Sequence, residues 1–315
     1  MKPRTVHAFA PASVGNAAAG FDLLGHSIEG PRDRVFACRS SSSGVIIRDI
    51  RGCVTDLPED PERNTAGRAV QSLIDRHAPG AGVDLGIDKG IPLSSGLGGS
   101  AASAVAAVVA ASAALGLALD AHALYPHALA GEAVASGASH GDNVAPQLLG
   151  GLVLALPDRV VRVPVPGGLF AAVVHPHLEL STRESRGALA EPFPIDVVVA
   201  QSTRLAQLLA GCWTGDLDLV ERGLEDVLVE PRRKHLIPAF DAVRDAALDA
   251  GALGASISGA GPSVFGWFRD RAAAERAASD MVAAFADAGH QADRFVSPVD
   301  GPAAGILEED AEWTA

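Results

Sequence analysis

Aromatic side chains are scarce in this chain, at 4% of residues, with one tyrosine and three tryptophans. Its core must therefore be assembled from Ala, Val and Leu rather than from large rings. Only three cysteines occur, Cys38, Cys53 and Cys212, and they lie far apart. No Cys-x-x-Cys pair and no Cys/His metal spacing is present, which excludes a disulfide framework and points to a reducing compartment. Basic residues are in deficit, 25 Lys and Arg against 38 Asp and Glu, for a formal charge of −13. Nucleic-acid binding normally needs clustered cations, so no nucleic-acid partner is expected. No apolar segment follows Lys2 and Arg4, so no signal peptide is expected and the setting reads as cytoplasmic. An uncharged run at 101–119 is mostly Ala with Ser and Gly, too weakly hydrophobic for a membrane span; it reads as a buried helix, with no membrane partner.

What is present is 48% hydrophobic residues over 315 positions, enough for a sizeable core in one or two domains. Strands are expected at 5–10, 34–39, 45–50, 83–89 and 150–156, with 11–20 as turns and 40–44 as a hairpin link. Apolar spacing predicts a helix over 64–77 and another over 101–119. Asp120 can cap a third helix that runs to 136, with Pro126 kinking it. Pro157, Pro164 and Pro166 mark a boundary, giving domains 1–160 and 161–305 and an acidic tail 306–315. Residues 170–175 and the valine run 197–199 begin the second half. Helices are expected at 202–210, 216–228, 237–250 and 271–288, and 254–268 reads as strand, glycine turn and strand.

Four segments carry candidate chemistry. Pro92-Leu93-Ser94-Ser95-Gly96-Leu97-Gly98-Gly99-Ser100-Ala101-Ala102 is a glycine-rich turn that opens a helix. Small residues let backbone approach a ligand, and the free amides at a helix start favour phosphate. The GxxxxGK[ST] and GxGxxG patterns are both absent. Lys89 lies upstream, with nothing in the spacing to carry it to a phosphate. A tight turn before a buried helix is the other open reading. The second segment, Pro11 to Asp22, presents Asn16 and Asp22 to a ligand or uses them to close turns. The third has Glu132 on an apolar helix, where a carboxylate wants a partner. Ser139, His140, Asp142 and Asn143 follow it, as site residues or ordinary loop residues. In the fourth, Gly254 to Ser263, a glycine turn forms either a lid or floor of a phosphate site or a plain hairpin.

Together these segments resemble the GHMP small-molecule kinases, whose phosphate loop reads P-x-x-x-G-L-G-S-S-A-A. Pro92 to Ala102 matches it with Gly99 in place of the first serine. Within that superfamily the chain is most similar to the homoserine kinase family, through Pro11 to Asp22 (with Gly15 and Ala17 as departures) and His140 to Pro146. Ser181 to Arg186 and Glu230 to Pro238 extend the similarity. The resemblance implies an α+β, two-domain GHMP kinase fold, with a ribosomal-protein-like N-terminal domain, a ferredoxin-like C-terminal domain and the active site in the cleft between them. It implies phosphorylation of L-homoserine by ATP on the route to threonine, and a homodimer. The loop from Pro92 to Ala102 would hold ATP, and Ser100 and Glu132 would hold Mg²⁺. Asp22, His140, Thr182, Arg186 and Arg233 would surround the amino acid, with both arginines on its carboxylate and Asp22 on its ammonium. Asn143 and Asn16 would hold the reacting hydroxyl. An amide takes no proton at neutral pH, so catalysis by positioning and charge neutralisation is expected, with Asp142 as the alternative base.

Overall fold

The computed structural model describes residues 5–137 and 140–308. Lys2, Arg4, Ser139 and 309–315 lie outside the described residues. The first half contains β1 (Thr5–Val14), β2 (Leu24–Ser40), β3 (Gly44–Gly52), α1 (Thr65–His77), β4 (Gly82–Lys89) and α2 (Gly99–Ala114). It continues through α3 (Ala121–Ser136), α4 (Val144–Leu149), β5 (Leu152–Ala155) and β6 (Val160–Val163). The second half runs β7 (Phe170–Pro176), α5 (Thr182–Gly187), α6 (Ile195–Thr214), α7 (Leu217–Gly223), α8 (Glu230–Arg233) and α9 (Phe240–Asp249). β8 (Gly254–Ile257), β9 (Val264–Phe268), α10 (Arg271–Asp287), β10 (Ala292–Pro298) and β11 (Gly305–Leu307) complete it. No described helix is long and apolar enough to cross a membrane.

The first sheet has the order β11-β1-β2-β4-β3, with β5 added to β2 and β6 to β5. The expected hairpin at 40–44 does not form. β3 pairs in parallel with β4, and β4 lies between β3 and β2, antiparallel to β2. The cause is the β3–α1–β4 crossover, which returns the chain beside β3 in parallel, as such units require. The expected turn at 11–20 begins later, because β1 runs through a bulge between Pro11 and Ser13 to Val14. The sheet also extends beyond residue 160, since β6 pairs with β5 up to Val163. Ile306 and Leu307, expected in the tail, pair with β1 instead.

The second sheet is antiparallel with order β10-β7-β9-β8. Its strands follow one another as strand, helices, strand, strand, helix, strand, which is the ferredoxin-like plan. α9 and α10 cover one face. The valine run 197–199 lies in α6, and the helix expected at 216–228 stops at Gly223, which packs against the Leu208 backbone.

Scarce aromatics shape α2. Ala is the strongest helix former, and its small side chain lets elements approach closely. Ala101, Ala104, Ala107 and Ala111 are fully buried as α2 packs against β1, β2, α1 and α3. The helix ends at Ala114 rather than at 119 because Gly116 follows in the left-handed region, at φ 73°.

One polar cluster interrupts this apolar packing. Lys89 and Asp33 form an ion pair with both side chains almost wholly buried. Lys89 Nζ also donates to the Gly99 carbonyl at 2.7 Å and to Ser103 Oγ at 2.9 Å. Asp33 Oδ1 accepts from the amides of Gly90 and Ile91 at 3.0 and 3.1 Å. The end of β4 and the start of α2 are thus tied to one point. Asp33→Ala leaves a buried unpaired ammonium, which costs about 3–5 kcal/mol. Urea unfolding should show a markedly lower midpoint for this variant; an unchanged midpoint would refute the tie.

Candidate active site

The loop between β4 and α2 is glycine-rich for steric reasons. Gly96 has φ 78°, and a Cβ there would lie 2.4 Å from the Ser258 carbonyl oxygen. Gly98 has φ 71°, and a Cβ would lie 2.4 Å from Ser13 Oγ. Only glycine meets both demands. Gly98 precedes α2 with no side chain to cap it, and the first intrahelical bond runs from Ala102 N to Gly98 O at 2.9 Å. The helix itself therefore leaves the amides of Gly99, Ser100 and Ala101 without carbonyl partners, at the positive end of its dipole.

The glycine turn after β8 has the hairpin form expected as one of its two readings. It is a hairpin joining β8 to β9, and it braces the loop. Ser258 Oγ donates to Gly96 O at 2.7 Å, and Ser263 Oγ to Ser95 O at 2.6 Å.

A cleft of about 390 Å³ opens between the two halves. It is lined by Asn16, Asp22, Ser100, Glu132, His140, Asp142, Asn143, Thr182, Arg183, Arg186 and Arg233 together with Pro92–Gly96, Gly98 and Gly99. Leu97, Ala101 and Ala102 do not line it; their side chains are fully buried. Lys89 faces Asp33, not the cleft.

At one end of the cleft, Asn16, Ala17, Ala18 and Asp22 all have positive φ, between 37° and 69°. Non-glycine residues adopt that region at a cost, which here turns Asp22 toward the opposite half. Arg186 clasps Asp22 with two bonds, Nη2 to Oδ1 at 2.8 Å and Nη1 to Oδ2 at 3.2 Å. His140 Nδ1 lies 3.3 Å from the same carboxylate, and burial lowers its pKa. Arg233, 2% exposed, donates Nε to Ser185 O at 2.9 Å. No described carboxylate forms an ion pair with it. Burial, then repulsion from Arg186, lowers its pKa to about 10, so it stays charged at neutral pH. Both guanidinium groups lie over the Phe21 ring, at 5.6 and 5.2 Å. Arg186 and Asp22 thus form an ion pair across the cleft.

Asn16 is hydrogen-bonded at both ends of its side-chain amide. Its Oδ1 accepts from the Asp22 amide at 3.0 Å, and its Nδ2 donates to Gly259 O at 2.7 Å. That side chain braces the turn and also lines the cleft. Beside it, Asp142 Oδ2 accepts from the Asn16 amide at 3.1 Å. Burial, with Asp22 nearby, raises the Asp142 pKa to about 6. Burial likewise raises Glu132 to about 7, opposed by a hydrogen bond with Ser100. Asn143 Oδ1 accepts from Ser13 Oγ at 2.8 Å.

The residues that sequence reasoning passed over are Ser13, Phe21, Gln147 and Arg183. The one signal for Gln147 was its place one helical turn after Asn143, which puts both on one face.

Residues 64–151 match the family model described as the GHMP kinases N terminal domain, and 205–287 match the GHMP kinases C terminal model. The homoserine kinase of Xanthomonas campestris is 54% identical, covering 96% of this chain and 94% of that protein. The homoserine kinase of Chlorobaculum tepidum is 41% identical, covering 96% and 98%. The crystal structure of the homoserine kinase from Cytophaga hutchinsonii superposes with a TM-score of 0.93 at 40% identity, covering 98% of both chains.

A buried carboxyl whose pKa is raised binds its proton more tightly in the folded state. Its contribution to stability is complete below pH 4 and is lost as pH rises through about 6. Asp142→Asn should therefore melt higher than the parent at pH 8, by on the order of 2–3 kcal/mol. The advantage should shrink steadily toward pH 4 when melting is followed without ligands. An advantage that grows on acidification would contradict the burial argument.

Proposed function

The chain belongs to the homoserine kinases of the GHMP kinase family, and from that membership we propose that it transfers the terminal phosphoryl group of ATP to the side-chain hydroxyl of L-homoserine. The observation that carries the reading is the pairing of two ends in one cleft. Open amides at the start of α2 suit a triphosphate. The Asp22–Arg186 pair and Arg233 suit a zwitterion.

An amino acid enters that second end by exchanging partners. Its ammonium takes a place on Asp22 beside Arg186, and its carboxylate relieves the repulsion between Arg186 and Arg233. Planar guanidinium forks bind carboxylate bidentately, which a lysine could not reproduce. His140 and Thr182 complete the enclosure. Mevalonate- and shikimate-type substrates lack the ammonium that Asp22 addresses.

Ser100 and Glu132 fit Mg²⁺. They are hard oxygen donors on the cleft wall beside the loop, and a nearby divalent cation would keep Glu132 ionised despite its burial. Bound there, the ion would neutralise charge on the phosphate oxygens. The chain's own contribution is positional. Backbone amides hold the triphosphate, the arginines and Asp22 orient the amino acid, and Asn143 sits beside the reacting hydroxyl. This suits a loose phosphoryl transfer, in which little covalent work falls to the protein. One observation favours a second reading of the proton's fate: Asp142 lines the cleft with a pKa near that of an efficient general base. A place on the route to threonine, a cytoplasmic setting and a homodimer belong to the same proposal, and the family membership supports them.

ADP release should require L-homoserine and Mg²⁺ together, with mevalonate and shikimate inactive. Arg186→Ala should raise KM for homoserine strongly, about 10²-fold for a lost charge-assisted pair worth about 3 kcal/mol; an unchanged KM would remove the arginine from the carboxylate site. Asn143→Ala should lower kcat at least as much as Asp142→Asn. The reverse order, with kcat falling below pH about 6, would assign the proton to Asp142.

A further inference from the structure

Gln147, on α4, is fully buried and lies within hydrogen-bond distance of the glycine loop. Its Nε2 donates to the Gly98 carbonyl oxygen at 3.0 Å and to Ser13 Oγ at 3.0 Å. A carbonyl oxygen only accepts, so the Gly98 carbonyl fixes which end of the Gln147 amide faces the loop. Ser13 Oγ, accepting from Gln147, has one proton left to give, and it gives it to Asn143 Oδ1 at 2.8 Å. Asn143 must then turn its Nδ2 away from Ser13, past Gly15, and the residue lines the cleft. The cost of this chain is visible. Gln147 Oε1 is buried without a hydrogen-bond partner among the described residues. A purely structural position would favour an apolar side chain over an amide with one end unsatisfied.

We propose that Gln147 and Ser13 are positioning residues that lock the Asn143 amide with its NH₂ toward the substrate, so that Asn143 acts only as a hydrogen-bond donor. This rests on the kinase reading above and sharpens it. The donor meets the oxygen of the reacting hydroxyl. As the new O–P bond forms and the P–O bond to ADP breaks, the hydroxyl proton leaves to a phosphoryl oxygen or to water. The N–H engages one lone pair of the hydroxyl oxygen and so fixes its direction, leaving the other lone pair aimed at the terminal phosphorus. The same backbone carbonyl that ends the phosphate loop thereby sets the polarity of the group facing the second substrate.

Misplacing a reacting group by about 1 Å can cost about 10²-fold in rate. Asn143→Ala should show a loss of that order, and Ser13→Ala and Gln147→Leu smaller losses in kcat with little change in KM for either substrate. Because all three act through one amide, Ser13→Ala added to Asn143→Ala should cost nothing further. Full additivity, or a loss confined to KM, would overturn the relay. Asn143→Asp supplies a sensitive contrast: it keeps the acceptor for Ser13 but presents a carboxylate, so its activity should be low at pH 8 and rise as pH falls and the acid can donate. Activity equal to the parent at pH 8 would show that an acceptor suffices and would refute the proposal. Neutron diffraction of the parent protein reads the orientation without turnover. Deuterium on the cleft-facing atom of Asn143 is expected. A cleft-facing oxygen would overturn the relay whether or not homoserine is phosphorylated, whereas an inactive parent with the expected deuterium would fault the function alone.

Discussion

Everything in the cleft depends on the buried pair between Asp33 and Lys89. A glycine-rich loop has many conformations to lose, and its free amides are useful only if they converge. Here Asp33 takes the amides of Gly90 and Ile91, while Lys89 takes the carbonyl of Gly99. Both ends of the loop are therefore fixed at one charge-paired point. The Lys89 ammonium is taken up by Asp33 and the Gly99 carbonyl. The positive character of the loop then comes from backbone dipoles rather than from a side chain.

The second half supplies the other side. The glycine turn between β8 and β9 places Ser258 and Ser263 on the loop carbonyls, and Gly259 on Asn16. These are short polar contacts between backbone and small side chains. The long-range hydrogen bonds of Asn16 and Ser13 join the same junction to Asp22 and Asn143. The glycine loop, the Asp22 turn and the Asn143 amide are thus parts of one hydrogen-bonded structure.

Much of this was legible from the residues. Period and capping signals placed α1 and α3, and the glycine turn between β8 and β9 was readable from its flanking apolar runs. Four separated segments pointed to one site, and the structure brings them together. Strand order was not legible, because nothing local distinguishes a hairpin link from a link across an inserted strand; the β3–α1–β4 crossover decides it. β11 was hidden because three residues next to an acidic terminus carry almost no pattern. The roles of Asn16, Lys89 and Gln147 depend on partners far away in sequence, so residue type alone could not separate brace from contact. Asn16 has the composition of a ligand contact and the geometry of a turn closure.

The most direct test is a crystal structure with L-homoserine, Mg²⁺ and a non-hydrolysable ATP analogue. The account predicts the triphosphate on the amides at the start of α2, with the amino acid between Asp22 and the two arginines and its hydroxyl directed at the terminal phosphorus. A triphosphate bound away from Gly98–Ser100, or an amino acid bound with its carboxylate remote from Arg186 and Arg233, would contradict it.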